Sequence, residues 1–498
     1  MKYLRVNLWG KEIGRLVWES DTRRAYFMYN PETISTIPDI SPLLSPAANR
    51  NSLFPIYSDD RPIYQNLPPF IADSLPDSWG NTLFDKWIKN NKIPRNKVTP
   101  LYKLMFIGTR GMGALEYEPC ASDLTHIRKI DIKSLYDISL KILEDRGNIT
   151  LNTNEELTLQ ALLAVGTSAG GRQMKAIIAI NSETGEIRSG QTDRLKGFEY
   201  YILKFGNSSI PIAEIETAFH NMAKHAGIEM EECRLFPVEG INHFLTKRFD
   251  RRMGEKIHMQ TLAAINPEAR SYEDLVATCR ELSIPESGIE QIFCRMVFNV
   301  MANNTDDHTK NFAFLLEKKG RWRLSPAYDM TFTFNTNATG PNAERRLSIC
   351  GKTSGISKSD LLDFARQNDI RNANATINKV ADAIKHFDRH ADECSINQPW
   401  RSIIQTHLND TLANFGYSCE QRTPDEQFSD KYGRTFSDIS ISVNSKGHYE
   451  VSAIIDGNRR RRFIRPNMTL YAELSRQKSL DLHNLNMPYI IGQLFPPD

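Results

Sequence analysis

The sequence predicts an α+β protein built of a β-rich opening, a mixed lobe, a mostly helical lobe and a small α+β appendage. Three observations predict it. β-branched and aromatic residues crowd the first 30 positions, helical spacing dominates from 212 to 387, and period-two alternation takes over after about residue 415. A length of 498 residues has room for about three units at roughly 150 residues per domain.

Residues 3–29 are broken by Gly10 and Gly14, as two or three short strands with tight turns would be. Residues 37–69 are rich in proline and serine with poor periodicity and read as a surface connector. Asp77 or Ser78 can cap a helix through Leu83, Phe84, Trp87 and Ile88, and residues 101–106 begin another that ends at the glycine-rich GTRGMGALEYEP of 108–119. A helix near 155–165, a glycine loop and the strand patterns KAIIAIN and EYYILKF follow. Helical periodicity then runs over 212–227, 272–282, 289–302 and 357–387. The stretch DISISVNSKGHYEVSAIIDGNRRRRFI alternates at period two with a hairpin turn expected at Asp456-Gly457. The expected units are an N-terminal subdomain at 1–118, the rest of a mixed lobe at 119–250, a helical lobe at 251–418 and an appendage at 419–498.

Composition narrows the function classes. A hydrophobic share of 40% and a charged share of 24% suit a folded, water-soluble chain. With 62 Lys and Arg against 60 acidic residues, the net charge of +2 gives no global pull towards nucleic acid or anionic lipid, so such a partner has to meet a local patch. Seven scattered cysteines without a CxxC pair disfavour a disulfide framework or a cysteine zinc site and read as reduced thiols. Lys11, Glu12 and Arg15 interrupt the N-terminus where a secretory apolar core would sit, and no apolar run approaches the ~18 residues of a membrane span. The expected location is the cytoplasm, with no membrane partner. The run Arg459 to Arg462, flanked by Phe463 and Arg465, fits contact with phosphate backbones or an acidic partner, and equally an exposed hairpin strand whose charges discourage edge pairing.

The densest polar cluster is ANNTDDHTKNFAFLL at 302–316, between an apolar helix pattern and an apolar strand pattern. Asp306 and Asn311 are five positions apart, the spacing by which phosphotransferases of the protein-kinase type place a carboxylate at the acceptor hydroxyl and an amide oxygen on magnesium. A turn in which Asp and Asn satisfy their own backbone fits the same residues. His308 fits a loop brace better than a base. Asp329, in LSPAYDMTF, follows a short strand and is a second candidate metal carboxylate, or a turn cap. Lys204 in the strand pattern YYILKF suits the phosphate-holding lysine, with Glu216 on the next helix as its partner and Glu214 second. The alternative is a snorkelling surface lysine beside a solvated helix face. The loop GTSAGGRQMK at 166–175 is neither a Walker P-loop nor a GxGxxG fingerprint, yet its small residues allow backbone N–H groups close to phosphates, and a tight connection would look the same. Ser168 within it is a candidate phosphorylation site.

Taken together, these residues resemble the HipA family of bacterial serine/threonine kinases, the toxin half of type II toxin–antitoxin modules. The resemblance runs over roughly residues 3 to 390 in nine ordered blocks: LPDSWGNTL (75–83), IGTRGMGALEYEP (107–119), SAGGRQMKA (168–176), ILKFGN (202–207), ETAFHNMAKHAGI (216–228), KRFDRR (247–252), NNTDDHTKNFAFL (303–315), SPAYDM (325–330) and LSICGK (347–352). It implies a two-lobed, protein-kinase-like fold in which Lys204 holds ATP phosphates and Glu216 orients it. Asp306 is then the catalytic base, Asn311 and Asp329 hold Mg²⁺, and His308 lies at the nucleotide site. The connector KRFDRR places Arg248 and Phe249 against adenine and Asp250 at the ribose. Ser168 aligns with the autophosphorylated serine that turns such kinases off, in a loop whose Gly170, Gly171 and Lys175 lie near the phosphates.

The function so implied is an ATP- and Mg²⁺-dependent kinase of a protein serine or threonine. Its target would be a translation component such as an aminoacyl-tRNA synthetase, and a helix-turn-helix antitoxin would neutralise it and link it indirectly to DNA. A catalytically weak corepressor of the same fold and a small-molecule kinase are the alternative readings.

Overall fold

The computed structural model describes residues 3–44, 56, 59–121, 130–144, 153–166, 173–191, 195–333, 344–417 and the strands at 428–429, 435–443, 449–455 and 458–464. β1 (Tyr3–Leu8), β2 (Lys11–Glu19) and β3 (Arg24–Tyr29) form an antiparallel meander, and β4 (Leu115–Glu118) closes the sheet on the far side of β1 in the order β3-β2-β1-β4. One face reads Leu4, Val6 and Leu8 on β1, all fully buried, which is the alternation expected of a sheet wet on its other side.

Among the described residues, three α-helices lie between β3 and β4: α1 (Pro69–Ala72), α2 (Ser78–Asn90) and α3 (Pro100–Ile107). Asp77 caps α2 as expected, its Oδ1 accepting from Gly80 N at 2.5 Å. α2 does not stay with the first sheet. Its buried stripe of Trp79, Leu83, Phe84, Trp87 and Ile88 joins α4 (Ile132–Glu144), α5 (Thr153–Val165) and one face of a second sheet in a separate core.

That second sheet runs β6-β5-β7-β9-β8, from β5 (Lys175–Asn181), β6 (Ile187–Ser189), β7 (Phe198–Lys204), β8 (Cys233–Val238) and β9 (Ile241–Lys247), with every neighbouring pair antiparallel. α6 (Ile212–His225) joins β7 to β8 and covers the other face. Gly206 lets the chain leave β7 closely over β9, because a Cβ there would sit 1.8 Å from Asn242 O.

A two-residue-strand hairpin, β10 (Arg251–Arg252) with β11 (Glu255–Lys256), leads into the helical lobe. This lobe holds a small sheet of β12 (His258–Thr261), β13 (Ala313–Leu316) and β14 (Trp322–Leu324), and the helices α7 (Leu262–Ile265), α8 (Tyr272–Glu281), α9 (Glu286–Met301), α10 (Lys358–Gln367), α11 (Ala373–Lys385), α12 (Phe387–Glu393) and α13 (Gln398–Asn414). α6, α8 to α13 and the first sheet share one continuous core. The appendage contributes an antiparallel sheet of β15 (Phe428–Ser429), β16 (Thr435–Val443), β17 (Tyr449–Ile455) and β18 (Asn458–Ile464). Ile455 pairs with Asn458 across β17 and β18, and the Asp456-Gly457 turn expected between them lies outside the described residues. None of the six described cysteines is in a disulfide, and burial pushes the Cys279 thiol up to about 12, far from a reactive thiolate.

The first sheet is locked to the connector by charge. Asp250 is wholly buried and takes Arg248 Nε and Nη2 at 2.8 Å each, Arg251 Nη1 at 2.7 Å and the backbone N–H of Gly113 at 2.7 Å. Arg251 also donates to the carbonyls of Gly111 and Gly113. Gly113 has φ +71, and a Cβ there would lie 2.8 Å from Met259 N, so only glycine fits the approach to β12. The glycine-rich 108–119 segment is thereby a brace between units.

Burial by itself would raise the Asp250 carboxyl, but Arg248 and Arg251 outweigh it and hold it below the ordinary carboxylate range. Its stabilisation is therefore complete above the unfolded pKa of about 3.9 and is lost as pH falls towards the folded value. Asp250→Ala should cost about 3–5 kcal/mol, since it leaves two buried guanidiniums without their carboxylate, and urea unfolding followed by fluorescence checks it. Asp250→Asn should in addition flatten the acid limb of the stability profile.

Candidate active site

Three elements bring three charges together. Lys204 ends β7, Glu216 lies one turn into α6, and Asp329 follows β14 on a left-handed turn with φ +53. The Lys204 ammonium contacts both Glu216 Oε1 and Asp329 Oδ1. Glu214, the second candidate, instead accepts from Asn242 Nδ2 at 2.9 Å. The side chains of Lys204, Glu216 and Asp329 are 12%, 7% and 27% exposed, so an excess of one negative charge sits in a largely dry place. Burial acts against the Lys204 ammonium, but Asp329 and Glu216 outweigh it and hold its pKa above the ordinary lysine value. Burial likewise pushes Asp329 up, and Lys204 more than reverses this. Glu216 is left with its pKa raised, chiefly by burial. Such an unbalanced carboxylate pair suits a divalent cation.

The polar segment after α9 is a braced loop. Asn303 breaks the helix at φ +56, a conformation asparagine tolerates. Asp307 is buried and takes Tyr272 Oη at 2.8 Å, Arg345 Nη1 at 3.1 Å and Arg346 N at 2.9 Å. Asn299 Nδ2 donates to the same tyrosine oxygen at 3.0 Å, and Asn304 Nδ2 donates to Asn299 Oδ1 at 2.9 Å and to the Asp329 carbonyl at 3.3 Å. This network ties α8, α9, the loop and the Asp329 turn into one body.

With Asp307 turned inward, Asp306 points out, 58% exposed, with Arg346 Nε 3.8 Å away. Asn311 Nδ2 donates to the Asp306 carbonyl at 2.8 Å, which leaves its Oδ1 open as a hard oxygen ligand. His308 braces the loop through its carbonyl, which accepts from Asn311 N at 2.8 Å, while its ring Nδ1 is buried without a partner among the described residues.

Lys204, Glu216, Asp306, His308, Asn311 and Asp329 all line one cavity of about 1230 Å³ between the lobes. The connector supplies Arg248 and Phe249 to its wall, and the Phe249 ring lies 5.7 Å from that of Tyr328. One expectation for this wall is corrected. Asp250 does not meet the cavity, since its carboxylate is buried and occupied by Arg248, Arg251 and Gly113. Arg248 lines the cavity, although its guanidinium is bound to Asp250 with no exposed side-chain surface.

Lys175 is corrected as well. It faces Lys204 directly across β5 and β7, but its ammonium is 1% exposed and bound to Asp77 Oδ2 at 2.8 Å. Two lysines opposed on neighbouring strands repel, and a separate carboxylate for each removes the conflict. Asp77, not Lys175, meets the cavity. Ser168, Gly170 and Gly171 lie outside the described residues.

Sequence reasoning missed Asp307, Tyr272, Asn299, Asn304 and Arg345, and read Asp77 only as a helix cap. Only the Asp306-Asp307 doublet signals that one carboxylate could turn inward and anchor the other. The partners are 35 and 38 positions away for Tyr272 and Arg345, and 98 for Asp77 and Lys175.

A strand lysine paired to a helix glutamate, above a loop carrying Asp, Asn and a further Asp, defines a protein-kinase-like two-lobed fold. The chain belongs to the HipA family. Residues 167–439 match the family described as HipA-like C-terminal domain, and residues 4–118 match that described as HipA N-terminal domain. A candidate kinase of Haemophilus influenzae is 28% identical over 204 residues, covering 36% of this chain and 57% of that protein. A second, Y4dM of Sinorhizobium fredii, is 20% identical over 177 residues, covering 32% of this chain and 43% of that protein. The chain thus spans about half the length of the curated relatives it matches. HipA of Shewanella oneidensis MR-1, solved with HipB and its operator DNA, shares the fold, with a TM-score of 0.60 and 16% identity over 83% of this chain and 98% of that one.

Asp329 separates charge from backbone. Asparagine tolerates the left-handed conformation whereas a β-branched residue is strained there, so Asp329→Val should be about 1–3 kcal/mol less stable than Asp329→Asn, although both lose the ion pair with Lys204. Comparing their thermal midpoints checks it.

Proposed function

We propose that this protein is an ATP- and Mg²⁺-dependent kinase of protein serine or threonine residues, the toxin of a toxin–antitoxin module. The observation that carries the reading is the buried cluster of one ammonium and two carboxylates beside an exposed Asp306. Mg²⁺, held there, would supply charge neutralisation during phosphate transfer. Asp329 and the open Oδ1 of Asn311 are the residues that would hold it, and the excess negative charge of the cluster fits them to that task.

Each residue then has one role. Lys204, kept charged by its carboxylates and oriented by Glu216, binds phosphate oxygens. Asp306 accepts the proton of the attacking hydroxyl, its position fixed chiefly through Asp307 and Asn311, with only the exposed Arg346 near its own carboxylate. Phe249 and Tyr328 form the aromatic wall that suits adenine. The cavity, larger than the roughly 300–1,000 Å³ usual for small-molecule sites, leaves room for a protein segment beside the nucleotide.

The substrate is a translation component, with an aminoacyl-tRNA synthetase as the example we favour, and Ser168 is the self-inactivating phosphosite. A helix-turn-helix antitoxin neutralises the kinase and links it to DNA. The cytoplasm is its location. No helix among the described residues is long and apolar enough to cross a membrane.

Intact-mass and phosphosite mapping after incubation with ATP and Mg²⁺ tests the proposal without a known substrate. Wild type should gain a phosphate at Ser168, and Asp306→Ala should slow transfer by about 10²–10⁴-fold while still binding ATP. Lys204→Ala should lose ATP binding as well. ATP binding without phosphate on any residue of the wild type would favour the corepressor reading instead.

A further inference from the structure

A second polar cluster lies on the helical lobe, away from the cavity, where two helices end side by side. His225 is the last residue of α6, and Asp382 and His386 lie at the end of α11, four positions apart and so on one face. His225, Asp382 and His386 each present a ligand atom within 4.8 Å of the others, and all three are exposed.

Three features distinguish this cluster from a chance meeting of polar side chains. The first is tautomer. His386 Nδ1 lies 2.8 Å from the Asp382 carbonyl, and a carbonyl can only accept, so Nδ1 carries the hydrogen and Nε2 keeps a lone pair. A backbone carbonyl on the far nitrogen is the usual orienting contact of a metal-bound histidine.

The second is spacing. A tetrahedral zinc ion, about 2.0–2.1 Å from each ring nitrogen, holds two imidazole centroids roughly 5 Å apart. The centroids of His225 and His386 are 5.1 Å apart, with the rings tilted 58° from each other rather than stacked.

The third is charge. α6 ends here, and the negative end of its dipole favours a cation, whereas α11 runs through His386 directly into α12. No Lys or Arg among the described residues forms an ion pair with the Asp382 carboxylate. A further imidazole stands behind the cluster. His390, one turn beyond His386, packs edge-on against His225 at 6.0 Å, and its Nε2 is buried without a partner among the described residues.

We propose that His225, Asp382 and His386 form a zinc site, with two imidazole nitrogens and one carboxylate oxygen as ligands and water completing a tetrahedron. Two nitrogens and one oxygen suit zinc far better than magnesium or calcium, which take oxygen ligands. The ion would cross-link α6 to α11. Because α6 also carries Glu216, the site would pin the helix that positions the Lys204 partner to the helical lobe. The zinc site itself stands independently of phosphate transfer.

The test uses the full chain, stripped with a chelator and titrated with Zn²⁺ by calorimetry, in parallel with His225→Ala/His386→Ala. The active-site carboxylates remain in both proteins, so the difference between them reads this site alone. Wild type should bind one equivalent that the double variant loses, and Asp382→Asn should weaken it by at least about 10-fold, the lower end of what even outer contacts contribute. Co²⁺ in place of zinc should give the visible absorption of a tetrahedral site in wild type only. The altered side chains are exposed, so matching thermal midpoints in metal-free buffer should show that the variants fold. Equal zinc binding by wild type and double variant, or none by wild type, would overturn the proposal.

Discussion

One ammonium buried between two carboxylates is the constraint on which the rest of this structure depends. The Lys204 charge survives burial only because Glu216 and Asp329 face it, and those carboxylates are held together only because Lys204 lies between them. The three residues come from β7, α6 and the turn after β14, so the cluster exists only when the mixed lobe and the helical lobe meet in register. An error in that meeting would strand a charge in a dry place. This is a strong penalty against misassembly, and it also leaves the uncompensated negative charge that a metal ion would answer.

Two further polar networks hold the walls around that cluster. On one side Asp250 gathers Arg248, Arg251 and the Gly113 N–H, joining the connector to the N-terminal subdomain. On the other, Tyr272, Asn299, Asn304 and Asp307 join the helices of the second lobe to the loop that presents Asp306. In both, a buried carboxylate is fully occupied by donors, and a neighbouring residue in the chain is thereby aimed at the cavity: Phe249 beside Asp250, Asp306 beside Asp307. The carboxylates that anchor and the residues that line the cavity are adjacent in sequence and opposite in direction. Burial of α6 along nearly its whole length extends the same logic, since its first turns carry Glu216 and its last residue reaches the histidine cluster on α11.

Much of this was legible in the chain. Period-two and helical patterns located the opening meander, the helix capped by Asp77, strands β5 and β7, and α6, because each of these elements buries one face and so writes its period into the sequence. β4, the β8–β9 hairpin, α4 and α13 went unassigned. β4 has four residues, too short to show a period, and β8 is half-exposed on both faces, which blurs its alternation. The set of Lys204, Glu216, Asp306, Asn311 and Asp329 was also readable, since reaction chemistry restricts the residue types and the loop fixes the five-residue spacing.

By itself, then, the sequence determined the order of the elements, the family to which the chain belongs and the identities of the residues that converge on the cavity. The tertiary structure alone decided which polar residues face the cavity and which brace. Asp306 and Asp307 are the same residue type in adjacent positions, and only Tyr272 and Arg345, more than 30 positions away on either side, turn one inward and leave the other facing the cavity. Lys175 and Asp250 look like ligand-binding residues in the chain, yet distant Asp77 occupies the first, and Arg248, Arg251 and the distant Gly113 N–H occupy the second. Local sequence encodes a side chain's chemistry, whereas its exposure and its partners arise from long-range contacts that no local pattern records.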